Sequence, residues 1–151
     1  MMRTFPDTSF LCSIYREQKM SPVADDWMNH RSGALPVSWL LLWEFRHSVR
    51  FQAWLFSNDR TRGYPARESM QMIRDLQDDL SSEVLKIVPI NEQDVHLIAE
   101  RLSDKYATTL GARAMDTLHL ATALHLGAND FLTFDAKQKK IALSEGMNVP
   151  V

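Results

Sequence analysis

The sequence predicts an α/β fold: one domain with a mostly parallel central sheet flanked by helices on both faces. Three observations carry this. Short apolar segments near 5–11, 35–39, 85–90, 131–134 and 148–151 alternate with longer stretches of helical spacing, and strands separated by helices favour parallel pairing. The 151 residues suffice for one complete hydrophobic core. Apolar residues at 45% and charged residues at 24% are ordinary for a soluble globular chain, and no internal repeat or low-complexity tract interrupts it.

Taken in order, the segment from Phe5 reads as a strand ending at or just after Asp7. Residues 14–19 and 23–31 read as two short helices, and 35–39 as a strand after the Gly33 turn, with Pro36 tolerable at its start. From 40 to 56 apolar residues fall on nearly every face, and that length favours a helix. A helix apolar all round is either buried or an interface. Residues 57–67 hold Asn58, Asp59, Gly63 and Pro65 and read as an exposed loop. Met70, Ile73, Leu76, Leu80 and Val84 mark a helix over 68–84, followed by a strand over 85–90 that Pro89 stops. Asn91 is a good N-cap for a helix over 92–108. After the Gly111 break, 115–126 is a strongly apolar helix closed by Gly127. Residues 131–134 read as a strand, 136–144 as a helix, and 148–151 as a last short strand.

The charge balance excludes some classes of function. With 17 Lys and Arg against 19 Asp and Glu, the net charge of −2 lacks the strongly basic signature of many nucleic-acid binders. A local basic patch remains compatible with that total. The single Cys12 can build neither a disulfide framework nor a cysteine-rich zinc site, and reads as a small buried hydrophobe. No signal peptide pattern opens the chain, and the apolar run 39–43 is too short to cross a bilayer. The expected location is the cytoplasm.

In sheets of this kind, ligands bind beyond the carboxyl ends of the strands. Asp7 closes the first strand, Glu44 follows the second by about one helical turn, and Asp135 closes the strand ending in Phe134. Asp116 opens a helix after the Gly111 break. Each acid borders an apolar segment, where a charge needs a reason to be. Two unit charges 4 Å apart repel by about 4 kcal/mol at an effective dielectric near 20. Converging carboxylates therefore call for a cation, and oxygen-only ligands suit Mg²⁺ or Mn²⁺ better than zinc. Such a site can activate water and neutralise charge on a phosphate.

The run Asp7-Thr8-Ser9-Phe10-Leu11 resembles the opening motif of PIN-domain nucleases. The segment from Met115 through Asp116, Thr117, Leu118, His119, Leu120, Ala121 and Thr122 to Ala123 resembles that family's third acidic motif. Leu132-Thr133-Phe134-Asp135, followed by Gln138, Ala142 and Gly146, resembles its closing segment, and Trp43-Glu44-Phe45 fits the second acid. The resemblance spans almost the whole chain in the right order, so residues 1–151 are expected to form one PIN-like domain. It implies a metal-dependent endoribonuclease that hydrolyses RNA phosphodiester bonds, with Asp7, Glu44, Asp116 and Asp135 as catalytic metal ligands for Mg²⁺ or Mn²⁺. By length and style the chain is most similar to the VapC toxins of type II toxin–antitoxin pairs, which implies an antitoxin protein as partner. Pro6 departs from the pattern, since it removes one ladder donor from a strand expected to be central.

Each of these residues has a plainer role to be weighed. Asp7, Asp116 and Asp135 all sit where an aspartate caps a helix. Glu44 has Arg46 and Arg50 nearby as ion-pair partners. Ser9 is either a hydroxyl that orients Asp7 from behind or a simple helix-start residue. His119, one turn after Asp116, reads as a half-buried helical histidine rather than a base. Arg60, Arg62 and Arg67, like Lys137, Lys139 and Lys140, read first as solvated surface, with phosphate contacts the alternative for the arginine loop. The stripe Trp39, Trp43, Phe45, Phe51 and Trp54 is richer than one small core uses, and predicts a homodimer or another partner surface. Two other functions compete. A non-catalytic PIN-fold scaffold binding RNA or protein would have no need of four acids. A phosphotransfer domain of the haloacid-dehalogenase kind would carry an aspartate where this chain has Ser9.

Overall fold

The structure is a computed structural model that describes residues 3–151. Four short strands and seven helices follow in the order β1 (Thr4–Pro6), α1 (Thr8–Tyr15), α2 (Ser21–His30), β2 (Leu35–Val37), α3 (Trp39–Asn58), α4 (Ala66–Ser81), β3 (Leu85–Ile87), α5 (Glu92–Leu110), α6 (Ala114–His125), β4 (Asp130–Leu132) and α7 (Ala136–Ser144). The strands pair in parallel as β1 with β4 and β2 with β3. β1 lies against β2, so the two pairs meet at the middle of the molecule. Phe5 is in register with Phe131, and Leu35 with Leu85. Phe5, Leu35, Leu85 and Phe131 are all buried, and the core continues into Phe10 and Leu11 of α1, Leu42 and Phe45 of α3 and Leu120 of α6. No helix among the described residues is long and apolar enough to cross a membrane.

The α/β class holds, while several element bounds shift for local reasons. The first strand stops at Pro6, because the Asp7 side chain accepts the Phe10 amide and caps α1 at once. The first helix therefore occupies Thr8–Tyr15, not 14–19. Pro6 costs the pairing little: the next amide, Asp7 N, donates to the Leu132 carbonyl at 3.0 Å. Pro22 in the first turn suits a helix start and sets α2 two residues earlier than the sequence suggests. α3 starts at Trp39, where the buried Ser38 accepts the Leu41 amide at 3.1 Å. α4 ends at Ser81 rather than at 84, since Glu83 turns left-handed (φ 61°) and releases Val84, whose carbonyl takes the Leu35 amide at 2.9 Å. β4 starts at Asp130 and ends at Leu132, because Thr133 and Phe134 turn away into the cap of α7. The expected last strand over 148–151 reduces to a single parallel bridge between Asn148 and Asp130.

The exposed loop expected over 57–67 narrows to 59–65, because α3 runs on to Asn58 and α4 starts at Ala66, and it folds back on α3. Gly63 has φ +66°, and a Cβ there would stand 2.1 Å from the Gln52 carbonyl oxygen. Gly33 also has positive φ, but nothing lies within 4 Å of its Cβ position. Gly63→Ala is therefore expected to destabilise by more than the ~1–2 kcal/mol of left-handed strain that Gly33→Ala incurs. Thermal unfolding of the two variants checks the order: equal losses would mean that the loop does not hold its contact with Gln52 in solution.

Candidate active site

All four predicted acids lie on segments that leave the carboxyl ends of the strands or open α6, but they play unequal structural parts. Asp7 is fully buried. Its Oδ1 accepts from the Phe10 amide at 3.0 Å and from Ser9 Oγ at 2.6 Å. Its Oδ2 accepts from Gln138 Nε2 at 2.8 Å and from the Thr133 hydroxyl. Burial pushes the Asp7 carboxyl above the ordinary range, against the hydrogen bonds from Ser9, Thr133 and Phe10 that favour its charged form. Asp7 is thus a helix cap and the hub of a polar cluster at once. Ser9 also accepts the Phe134 amide at 3.0 Å, which ties the start of α1 to the segment after β4.

Glu44 sits one turn into α3, with its side chain mostly covered. It pairs with neither Arg46 nor Arg50 among the described residues. Its partner is His119, whose Nε2 lies 3.1 Å from Oε2, while the Thr8 hydroxyl donates to Oε1. Burial pushes the Glu44 carboxyl up, but the hydrogen bond and charge of His119, with Thr8, outweigh it and the net shift is downward. His119 is completely buried, not half-buried as the sequence suggests, and its Nδ1 has no partner among the described residues. The histidine holds Glu44 in place from inside the core.

Asp116 differs from the rest. It is half-buried in the first turn of α6, whose cap is Arg113, and it accepts no hydrogen bond among the described residues. The capping role is therefore not what holds it. Burial raises its carboxyl above the ordinary range, and the neighbouring charges of Asp135 and Glu44 raise it further, against His119 and Arg113. Asp135 is exposed and caps α7 by accepting the Gln138 amide at 2.8 Å. Asp7 also feels His119. His119 is thus a common neighbour of Asp7, Glu44 and Asp116.

As the side chains stand, no three His, Cys, Asp or Glu residues among those described close around a single point as a metal cluster. The donor chemistry nevertheless fits a hard divalent ion: the acids gathered about Asp116 offer oxygen only, and the charges of His119 and the exposed Arg113 do not outweigh its burial and its acidic neighbours. Asp7 has both oxygens engaged by four donors, which makes it the most fixed of the four. Lys137 adds charge at the rim, its Nζ donating to the Gly111 carbonyl at 3.1 Å. The loop with Arg60 and Arg62 follows the far end of α3 and folds back to the Gln52 carbonyl, while Arg67 lies in the first turn of α4. The positive charges that act on Asp116 are His119 and Arg113, and none from that loop.

Thr8, Thr133 and Gln138 stand in the motifs read from the sequence, but that reading gave them no part in the site. One signal was available. Asp135 and Gln138 have the spacing of a capping box, in which the glutamine would return to the backbone at its own cap. Here it reaches across to Asp7 instead.

Comparison with known proteins identifies the family and the fold. The profile of the PIN domain family matches residues 4–143, and the chain belongs to that family. No curated protein sequence matches. Among solved structures, the chain is similar to the Mycobacterium tuberculosis toxin VapC20, described as cleaving the sarcin-ricin loop: 15% identity, TM-score 0.60, over 91% of this chain and 94% of that one. It is also similar to FitAcB from Neisseria gonorrhoeae, at 19% identity and TM-score 0.60 over 97% of this chain and 95% of that one. At these identities the likeness establishes a shared fold.

Proposed function

We propose that this protein is a metal-dependent endoribonuclease, a toxin neutralised by a cognate antitoxin, formed by residues 1–151 as one domain and acting in the cytoplasm. The observation that carries the reading is Asp116, a half-buried acid with no hydrogen-bond donor and two acidic neighbours. His119 and the exposed Arg113 offset only part of the burial and repulsion there, and a bound cation would stabilise the carboxylate further. Glu44, Asp116 and Asp135 would hold Mg²⁺ or Mn²⁺, with Asp7 fixing the geometry from the buried side and reaching the ion directly or through water. When bound, such an ion supplies an activated water and charge neutralisation at the scissile phosphate. The chain's own residues do the positioning. Ser9, Thr133 and Gln138 lock Asp7, and His119 and Thr8 lock Glu44. Arg113 and Lys137 at the rim would contact the phosphates of the RNA strand. Membership of the PIN family and the likeness to VapC20 support the reading. The test is cleavage of a structured RNA with Mg²⁺, with Mn²⁺ and with EDTA: cleavage only with a divalent ion is expected. Activity that persists in EDTA would mean that the acids are structural.

The same reading includes a homodimer. Trp39, Trp43, Phe51 and Trp54 of α3 are 68%, 53%, 48% and 58% exposed, whereas only Phe45 of the stripe is buried. Trp43 stacks on His47 and Phe51 on Trp54, two exposed ring pairs on one helix. Sedimentation of the wild type is expected to show a dimer, and Trp43→Glu with Trp54→Glu to shift it to monomer. A wild type that stays monomeric at high concentration leaves the stripe to the antitoxin alone.

A further inference from the structure

A cavity of about 830 Å³ is lined by none of the four acids and lies along β2 and β3, beside Thr4 and Asp130, the first residues of β1 and β4. Its volume and mostly apolar wall are those of a small-molecule site. Three permanent cations line it, from three different parts of the chain: Arg3, Arg31 and Lys86. Two of them are held in place by helix C-terminal carbonyls. Arg3 Nη1 donates to Leu126 O at 2.9 Å, and Arg31 Nη1 to Met28 O at 2.5 Å. The Nε of Arg31 is buried without a partner among the described residues, while the residue as a whole is only half-buried. None of the three makes an ion pair with an acid among the described residues. The one lining carboxylate, Asp130, is buried and accepts from Asn148 Nδ2 at 3.2 Å. Counted together, the lining charges come to about +2, which a phosphate monoester matches better than a single carboxylate. The indole of Trp27 lines the same cavity and offers an aromatic wall to a planar ring.

We infer that this cavity binds a phosphate monoester carried on an aromatic base: the phosphate against Arg3, Arg31 and Lys86, the base against Trp27. Two sources share that chemistry, a free nucleoside monophosphate and the phosphorylated end of a nucleic-acid strand. The inference does not rest on the nuclease reading, because none of the four acids lines the cavity.

Titration calorimetry of the full chain tests it, in EDTA so that no metal at the acids captures phosphate. The probes are adenosine 5′-monophosphate, adenosine, inorganic phosphate, and a short oligonucleotide with and without a 5′-phosphate. Saturable 1:1 binding of the monophosphate or of the phosphorylated strand is expected, with adenosine and phosphate at least tenfold weaker. The probe that binds identifies the source. Lys86→Glu, at an exposed position, should weaken binding at least tenfold with the melting temperature unchanged, and Arg31→Gln should weaken it as well. The inference is overturned if neither phosphorylated probe saturates, or if both variants bind as tightly as the wild type. It is equally overturned if Lys86→Glu changes the sedimentation of the protein while no probe binds, since a second copy would then cover the cavity.

Discussion

Asp116→Asn is expected to lower RNA cleavage by at least about 100-fold, beyond the 10–100-fold that loss of an outer-shell partner brings to a metal site, and to leave the fold intact. The amide keeps the size of the side chain but removes a ligand charge. It also removes the repulsion that Asp116 exchanges with Asp135 and Glu44, so without metal the variant should melt no lower than the wild type. The two proteins should then part on adding Mg²⁺. The wild type gains stability in proportion to the logarithm of ion concentration over its dissociation constant, and the variant gains little. Cleavage assays and melting curves with and without Mg²⁺ read both effects. A variant that cuts RNA normally and still gains stability from Mg²⁺ would remove Asp116 from the site.

Phe131→Ala should have the largest effect on stability. Phe131 is completely buried in β4, in register with the equally buried Phe5. Truncating a core phenylalanine costs about 3–5 kcal/mol, because lost burial and the cavity left behind add together. For a domain of this size that corresponds to a fall of about 6–20 °C in the melting temperature, a large share of the 5–15 kcal/mol that ordinarily holds a domain folded. Activity should fall with it, because β4 carries Thr133 and Asp135 to the site. A loss under about 1 kcal/mol in denaturant titration would show that this strand pair is not the packed centre described above.

The strand-to-helix junctions were legible in the sequence because each ends in a residue with a local task. Asp7 and Asp135 announce themselves as caps after apolar segments, and capping is a contact between neighbours along the chain. Ser9 follows from the same local logic, being two residues from its partner. What stayed hidden is long-range. Nothing near Glu44 indicates that its partner is His119 rather than Arg46, since 75 residues separate the pair. Hydrophobic spacing shows that His119 is on a core-facing helix, but not that its ring is wholly enclosed. The strands were read too long because apolar residues continue beyond each one: Phe10 and Leu11 after β1, and Phe134 after β4. Those residues are buried or half-buried from helix and loop backbone instead. Burial alone, without the cap at Asp7, does not distinguish the two.

The donors that grip Asp7 come from both ends of the chain. Ser9 is beside it, but Thr133 and Gln138 are 126 and 131 residues away, and β1 finds its ladder partner only in β4. During synthesis the first strand therefore emerges with no edge to pair with, and Asp7 with half of its hydrogen bonds missing. They become available only once residues 133–138 have been made. In the proposed nuclease the acid cluster therefore stays unfinished until that stretch has joined the first strand.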